Sequence, residues 1–322
     1  MTFVRTILGD VDASEIGVTY AHEHLVIDGG RPVEMSQDFL LADVDRLAAE
    51  LTAGAQAGLR TAVDAMPADC GRNPAKLAEL SRRSGVHLVA ATGLHHEKFY
   101  GPWHWSTRAS DDELADLFVA DIEAGIDELD YRGPIVRRTP HAAGIVKVAG
   151  SEGGPSPRDV PIFRAAAIAH ERTGVPVHTH CEAGTGALEQ VRLLSDAGVP
   201  PDRISLSHVD KVVDRGYHRD IRATGAFVVY DQAFRWANRP NGTLQLLEWA
   251  VEDGQIDRVM LGMDAARQGY YRSFGGKPGL AYLLDAFVPE MAGRGLGDAI
   301  RHAVFVENPA RAFAFEPRET HR

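Results

Sequence analysis

Eight short apolar runs, each followed by a segment of helix length, constrain this chain more than any other feature. The runs cover residues 16–25, 61–66, 87–93, 144–150, 176–181, 204–208, 227–231 and 259–264. Between them, apolar residues recur at helical spacing, as Leu40, Leu41, Val44, Leu47, Ala48 and Leu51 do. This pattern predicts helices over 39–57, 74–84, 110–127, 159–173, 185–197, 212–223 and 243–252. Two more, over 280–287 and 298–305, follow the last run, and Asn308-Pro309 opens a final turn. Gly58, Gly85, Gly174 and Gly198 stand where helices end, and glycine is suited to the left-handed residue found there. Strands that alternate with helices predict a parallel sheet. Eight such units in 322 residues fit a TIM (β/α)8 barrel, with 1–322 as one domain and longer loops at 99–108 and 265–279. The alternative is an open doubly wound sheet. A dinucleotide-binding version of it is weakened because no Gly-x-Gly-x-x-Gly follows the first run.

Charge narrows the partners. With 45 acidic against 34 basic residues the net charge is −11, so a nucleic-acid or anionic-membrane surface is not expected. No run of roughly 18 apolar residues is present, so no spanning helix is expected. Two cysteines, Cys70 and Cys181, do not suggest a disulfide-dependent secreted scaffold. The N-terminus lacks a basic start followed by an apolar core, so no signal peptide is read and the cytoplasm is the expected location.

The polar residues on the apolar runs carry the chemistry. His22 and His24, two apart on a strand, would point to the same face, and imidazole is a good ligand for zinc and similar ions. Lys147 interrupts the fourth run between Val146 and Val148; His180 ends the fifth, His208 the sixth and Asp264 the eighth. Barrel active sites form at the C-terminal ends of strands, so these six groups could converge on one mouth. Each also has an ordinary reading. Lys147 could lay its stem in the barrel and send its ammonium to water. His180 could be a core histidine, with His178 on the same face an equal candidate. His208 could end a turn, and Asp264, like Asp64, Asp210 and Asp231, could cap the next helix.

Taken together, Ala21-His22-Glu23-His24-Leu25, Ile145-Val146-Lys147-Val148, Pro176-Val177-His178-Thr179-His180, Ser207-His208-Val209-Asp210, Gly262-Met263-Asp264 and Glu307-Asn308-Pro309-Ala310-Arg311 resemble the phosphotriesterase-like family of the amidohydrolase superfamily. The resemblance covers nearly the whole chain in order and spacing. It implies two divalent metal ions, zinc first, with manganese or cobalt as alternatives. His22, His24 and Asp264 would hold the more buried ion, His180 and His208 the more exposed one. Lys147, carrying carbon dioxide as a carbamate, would bridge them. The family pattern uses the second histidine of the fifth run, which selects His180 over His178. A bridging hydroxide would attack the ester, with Asp264 taking its proton and His208 or Asp210 passing the proton outward.

The resemblance also frames the substrate, a small ester or lactone. Members hydrolyse phosphotriesters, acyl-homoserine lactones or sugar lactones. His95 and His96 make the loop after the third run polar, which does not suit a long acyl chain. Arg267 and Tyr270 have the spacing that binds phosphate in the branch acting on phosphorylated sugar lactones, although Arg267 could equally pair with a nearby acid while Tyr270 packs on the rim. That branch has a lysine after the seventh strand, where this chain offers Arg235. A polar sugar or sugar-phosphate lactone is therefore the leading expectation. A phosphotriesterase, an acyl-homoserine lactonase, a one-metal deaminase and a non-catalytic binding barrel are the alternatives. A homodimer is the assembly the family suggests.

Overall fold

The computed structural model describes residues 2–236 and 240–315. Ten strands run β1 Phe3–Thr6, β2 Gly9–Asp12, β3 Thr19–Glu23, β4 Thr61–Asp64, β5 His87–Gly93, β6 Ile145–Gly150, β7 Val177–Cys181, β8 Ile204–Ser207, β9 Phe227–Tyr230 and β10 Val259–Leu261. β3 to β10 form one eight-stranded sheet in sequence order. Its neighbours are parallel throughout, which gives the expected barrel. Eight α-helices fall between Arg31 and Glu252: α1 Arg31–Met35, α2 Val44–Ala57, α3 Pro74–Ser84, α4 Asp111–Glu123, α5 Asp159–Thr173, α6 Ala187–Asp196, α7 Arg215–Ala223 and α8 Gly242–Glu252.

Alternation along the strands sorts side chains into two cores. Val63, Val89, Ala91, Ile145, Phe227, Val229 and Met260 form the inner cluster. Val146, Val148, Val177, Leu206, Val228 and Leu261 face outward and join the cluster shared with the helices. The inner cluster fills the lower barrel, which leaves the C-terminal strand ends for polar groups.

Helix starts differ from expectation where a side-chain cap intervenes. The segment expected from residue 39 becomes helical at Val44, because the Asp43 carboxylate accepts the Arg46 N–H. The Asp214 carboxylate accepts the Tyr217 N–H and starts α7 at Arg215 instead of residue 212. Residues 280–287 give a π-helical turn at Leu283–Phe287 that continues as a helix over Val288–Gly293. The β1–β2 hairpin was not expected, since its four-residue strands are too short to show a period. It seals the barrel floor: Val4 joins the inner cluster and the Ile7 N–H donates to the Leu88 carbonyl.

A third long connection, between α4 and β6, also escaped the sequence. It is pinned by a buried ion cluster. Arg72 donates to Asp121 at 2.8 Å and to Asp130 at 2.7 Å, and Arg138 donates to Asp121 at 2.6 Å. Removing Arg72 would take the close cation from the buried Asp130 and one of two from the buried Asp121. Arg72→Met is therefore expected to destabilise the fold by about 3–5 kcal/mol, read as a lower denaturant midpoint; an unchanged midpoint would show that the cluster is dispensable.

Candidate metal centre

The strand ends bring the six expected groups together. β3 supplies His22 and, just beyond its end, His24. The pairing of β3 with β4 shifts register between Tyr20 and Glu23, an irregularity of the kind that re-aims side chains beside active sites. Lys147 comes from β6, His180 from β7, His208 follows β8 and Asp264 follows β10. His22, His24 and Asp264 present ligand atoms within 4.8 Å of one another. Asp264 Oδ1 lies 3.4 Å from His24 Nε2 and 3.9 Å from His22 Nε2. His180 and His208 meet edge to face with ring centroids 4.5 Å apart.

The protonation states suit ligation. Burial, reinforced by the Lys147 charge, holds His22 well below the usual imidazole range. Burial likewise lowers His208, and it brings His180 to about 4. Neutral imidazoles can ligate a metal where imidazolium cannot. Burial pushes Asp264 up, but His208, His24, Arg235 and His22 outweigh it and hold the carboxyl well below its ordinary value. Burial lowers Lys147 to about 7 against the pull of Asp264 and Asp231. Its Nζ has Ser207 Oγ at 3.2 Å. An amine that is half neutral near pH 7 can react with carbon dioxide.

His22 Nε2 is buried and makes no hydrogen bond. An orphaned nitrogen aimed at a carboxylate and a second imidazole is what a metal ion would satisfy. The donor set therefore fits a divalent ion. His178 and His180 are told apart by depth. His178 is fully buried, with Nδ1 bonded to Ser205 Oγ at 2.7 Å, whereas His180 lines the cavity above the ligands. His178 Nε2 is also unpartnered, so the distinction rests on access to the cavity.

Several supporting residues were missed or read as caps. Asp231, fully buried, accepts from His22 Nδ1 at 3.1 Å and His208 Nδ1 at 3.0 Å. Although it groups geometrically with those two histidines, it bonds the Nδ1 of each, and so orients both rings. Glu182 Oε2 lies 2.7 Å from His180 Nε2, which leaves Nδ1 of that ring. Asp210 does act as a cap-like acceptor, taking the Asp231 and Gln232 N–H groups and the Thr243 hydroxyl. Burial and the Asp231 charge push it up to about 7.

Above the ligands lies a cavity of about 400 Å³. Its wall includes all four expected substrate residues: His95, Arg235, Arg267 and Tyr270. Arg235 is largely committed. It donates to the carbonyls of Asp231, Met263 and Asp264 at 2.7–3.0 Å and to Asp264 Oδ2 at 3.2 Å, bracing the ends of β9 and β10. Arg267 stacks on Phe39 at 4.2 Å and sits 3.6 Å from Asp38, a loose pairing that leaves donors over. Tyr270 packs on Phe234. Lys98 and Lys211 also line the cavity, two cations that the strand-end pattern could not reveal because they stand on turns. Lys98 pairs with Glu182 at 3.1 Å.

Fold and site define a metal-dependent barrel hydrolase acting on esters. The chain belongs to the phosphotriesterase family, which matches residues 2–313. It is 33% identical to a phospho-furanose lactonase from Mycoplasmopsis synoviae, over 98% of this chain and 93% of that protein. An amidohydrolase structure from Mycoplasma synoviae superposes with a TM-score of 0.95 at 31% identity, covering 100% of this chain and 94% of that one. A lactonase from Listeria monocytogenes gives 0.88 at 30% identity, covering 98% and 99%. Among the described residues, no helix is long and apolar enough to cross a membrane.

Proposed function

We propose that the protein is a two-metal lactonase of an anionic sugar lactone, a phosphorylated furanose lactone first. The observation that carries the anionic choice is the cavity wall: Lys98, Lys211 and Arg267 line the space above the ligands, in addition to Arg235, whose donors are largely committed to carbonyls. A chain of net charge −11 has no general reason to gather cations there. The phospho-furanose lactonase relatives support the same substrate class. Phosphotriesters, being neutral, would leave those cations unused.

His22, His24 and Asp264 would hold one ion, and His180 and His208 the other, with carbamylated Lys147 between them. Zinc suits the imidazole-rich donor set, with manganese and cobalt as alternatives. When bound, the ions supply an activated water and polarise the lactone carbonyl. Asp264, kept ionised, would take the proton of the attacking water at a carboxylate oxygen. Arg235, fixed on three carbonyls, would keep that carboxylate in place. Asp231 would hold His22 and His208 in the tautomers that leave Nε2 free. Arg267 and Tyr270 would grip the phosphate, and His95 would face the ring of the sugar.

The test compares a phosphorylated lactone with its dephosphorylated counterpart. Arg267→Ala is expected to lower kcat/KM for the phosphorylated form roughly 10- to 150-fold, the worth of a charge-assisted hydrogen bond. The dephosphorylated form should change by less than about threefold. Equal losses on both substrates would make Arg267 a rim residue paired with Asp38 and remove the phosphate grip.

A further inference from the structure

We infer that Glu23, the residue between the two histidines at the end of β3, is the positioning residue of the metal centre. It would set Asp264 by clamping the backbone on either side of it. The inference rests on reading His22, His24 and Asp264 as ligands, and concerns a residue to which that reading gives no part.

Three observations carry it. First, Glu23 is fully buried, and its two carboxylate oxygens accept different N–H groups: Oε1 from Met263 at 2.8 Å and Oε2 from Ala265 at 3.3 Å. These are the residues immediately before and after Asp264. No cation pairs with Glu23 among the described residues, so a buried carboxylate is held there by backbone donors alone. Second, Asp264 has φ +49°, in the left-handed region. A non-glycine residue pays roughly 1–2 kcal/mol for that conformation and keeps it only where its surroundings impose it. Third, the seam between β3 and β10 is the one place in the barrel where sequence-adjacent or closing strands lack a ladder among the described residues. What joins them is local. The Met263 and Asp264 N–H groups both reach the His22 carbonyl, at 3.2 and 2.9 Å. Gly262 lets β10 approach this closely, since a Cβ there would lie 2.8 Å from His22 N and O. The Glu23 carboxylate completes this junction. His22, Glu23 and Asp264 thus form one unit in which the end of β3 would supply two ligands and also the clamp for the third.

The clamp has a specific chemical requirement. Two N–H donors need two acceptor oxygens, which a carboxylate provides and a carboxamide does not. Glu23→Gln keeps the size but turns one acceptor into an NH2 group facing an N–H. Glu23→Asp keeps both oxygens but shortens the reach by one methylene. Both should release Asp264 from its imposed conformation while leaving every ligand side chain present.

The experiment measures zinc content of wild type, E23Q and E23D after dialysis against graded concentrations of a chelator, with thermal unfolding of the metal-free and zinc-loaded forms alongside. The expected result is that wild type keeps two ions, while each variant loses one of them at a chelator concentration 10- to 100-fold lower, the usual cost of losing a group that orients a ligand. The rise in Tm on adding zinc should shrink in the variants. Two equally resistant ions in either folded variant would overturn the inference. So would failure of both variants to fold, which would make Glu23 a folding residue. A wild-type protein that binds no metal would instead sink the ligand reading itself, and the two failures are thereby separate.

Discussion

Lys147→Ala is expected to strip most of the bound metal from the protein and to lower lactone hydrolysis by more than the roughly 10–100-fold typical of losing a ligand-supporting group. Lys147 is fully buried in β6, between outward-facing valines, with no acidic partner within ion-pairing distance among the described residues. A buried ammonium in such a place is costly. A carbamate would avoid the cost, since it would be an anion between the two proposed cations. The amine must be neutral to take up carbon dioxide, and burial brings its pKa to about 7. The neutral fraction therefore grows as pH rises through 7. Metal-free protein should recover activity faster with zinc and bicarbonate at pH 8 than at pH 6. A short carboxylic acid should partly restore the alanine variant by occupying the vacated bridge. Elemental analysis checks the first expectation, and unchanged metal content would sink the carbamate reading.

Asp264→Asn should be nearly as damaging for a different reason. In the proposed mechanism Asp264 would be both a ligand and a base. Its Oδ1 lies toward His24 and His22, and its Oδ2 toward Arg235. An amide is a weak ligand and cannot take a proton. Loss of a general base costs on the order of 10²–10⁴-fold, and weaker metal retention adds to it. The measurement is kcat at saturating zinc, which separates the two: a residual loss of about 10²-fold or more with both ions present is the base. Full activity at saturating zinc would mean that Asp264 only ligates.

The convergence of the six candidate ligands was legible in the sequence because barrel geometry converts position into convergence. His180 lies near the end of β7, His208 and Asp264 follow β8 and β10, and Lys147 breaks the apolar run of β6. The eight strands were legible for the same reason, being continuous apolar runs between glycine-ended helices. The supporting residues were not, since their roles depend on what lies across the barrel. Asp231 reads as a helix cap until His22, 209 positions away, is found against it. Glu23 reads as a spacer until Met263 and Ala265 are placed. Arg235 stood as a substrate residue in sequence, and the structure gives most of its donors to carbonyls. The β1–β2 hairpin and the connection between α4 and β6 were missed because short strands and ion clusters have no periodic signature.

Rates on a substrate panel test the central claim most directly. Protein carrying two zinc ions would be given a phosphorylated furanose lactone, its unphosphorylated counterpart, an acyl-homoserine lactone and an activated phosphotriester. The account predicts the highest kcat/KM on the phosphorylated lactone, by at least about tenfold over the others, as the charge-assisted grip requires. Faster turnover of the phosphotriester, or no lactone hydrolysis with both ions bound, would contradict it.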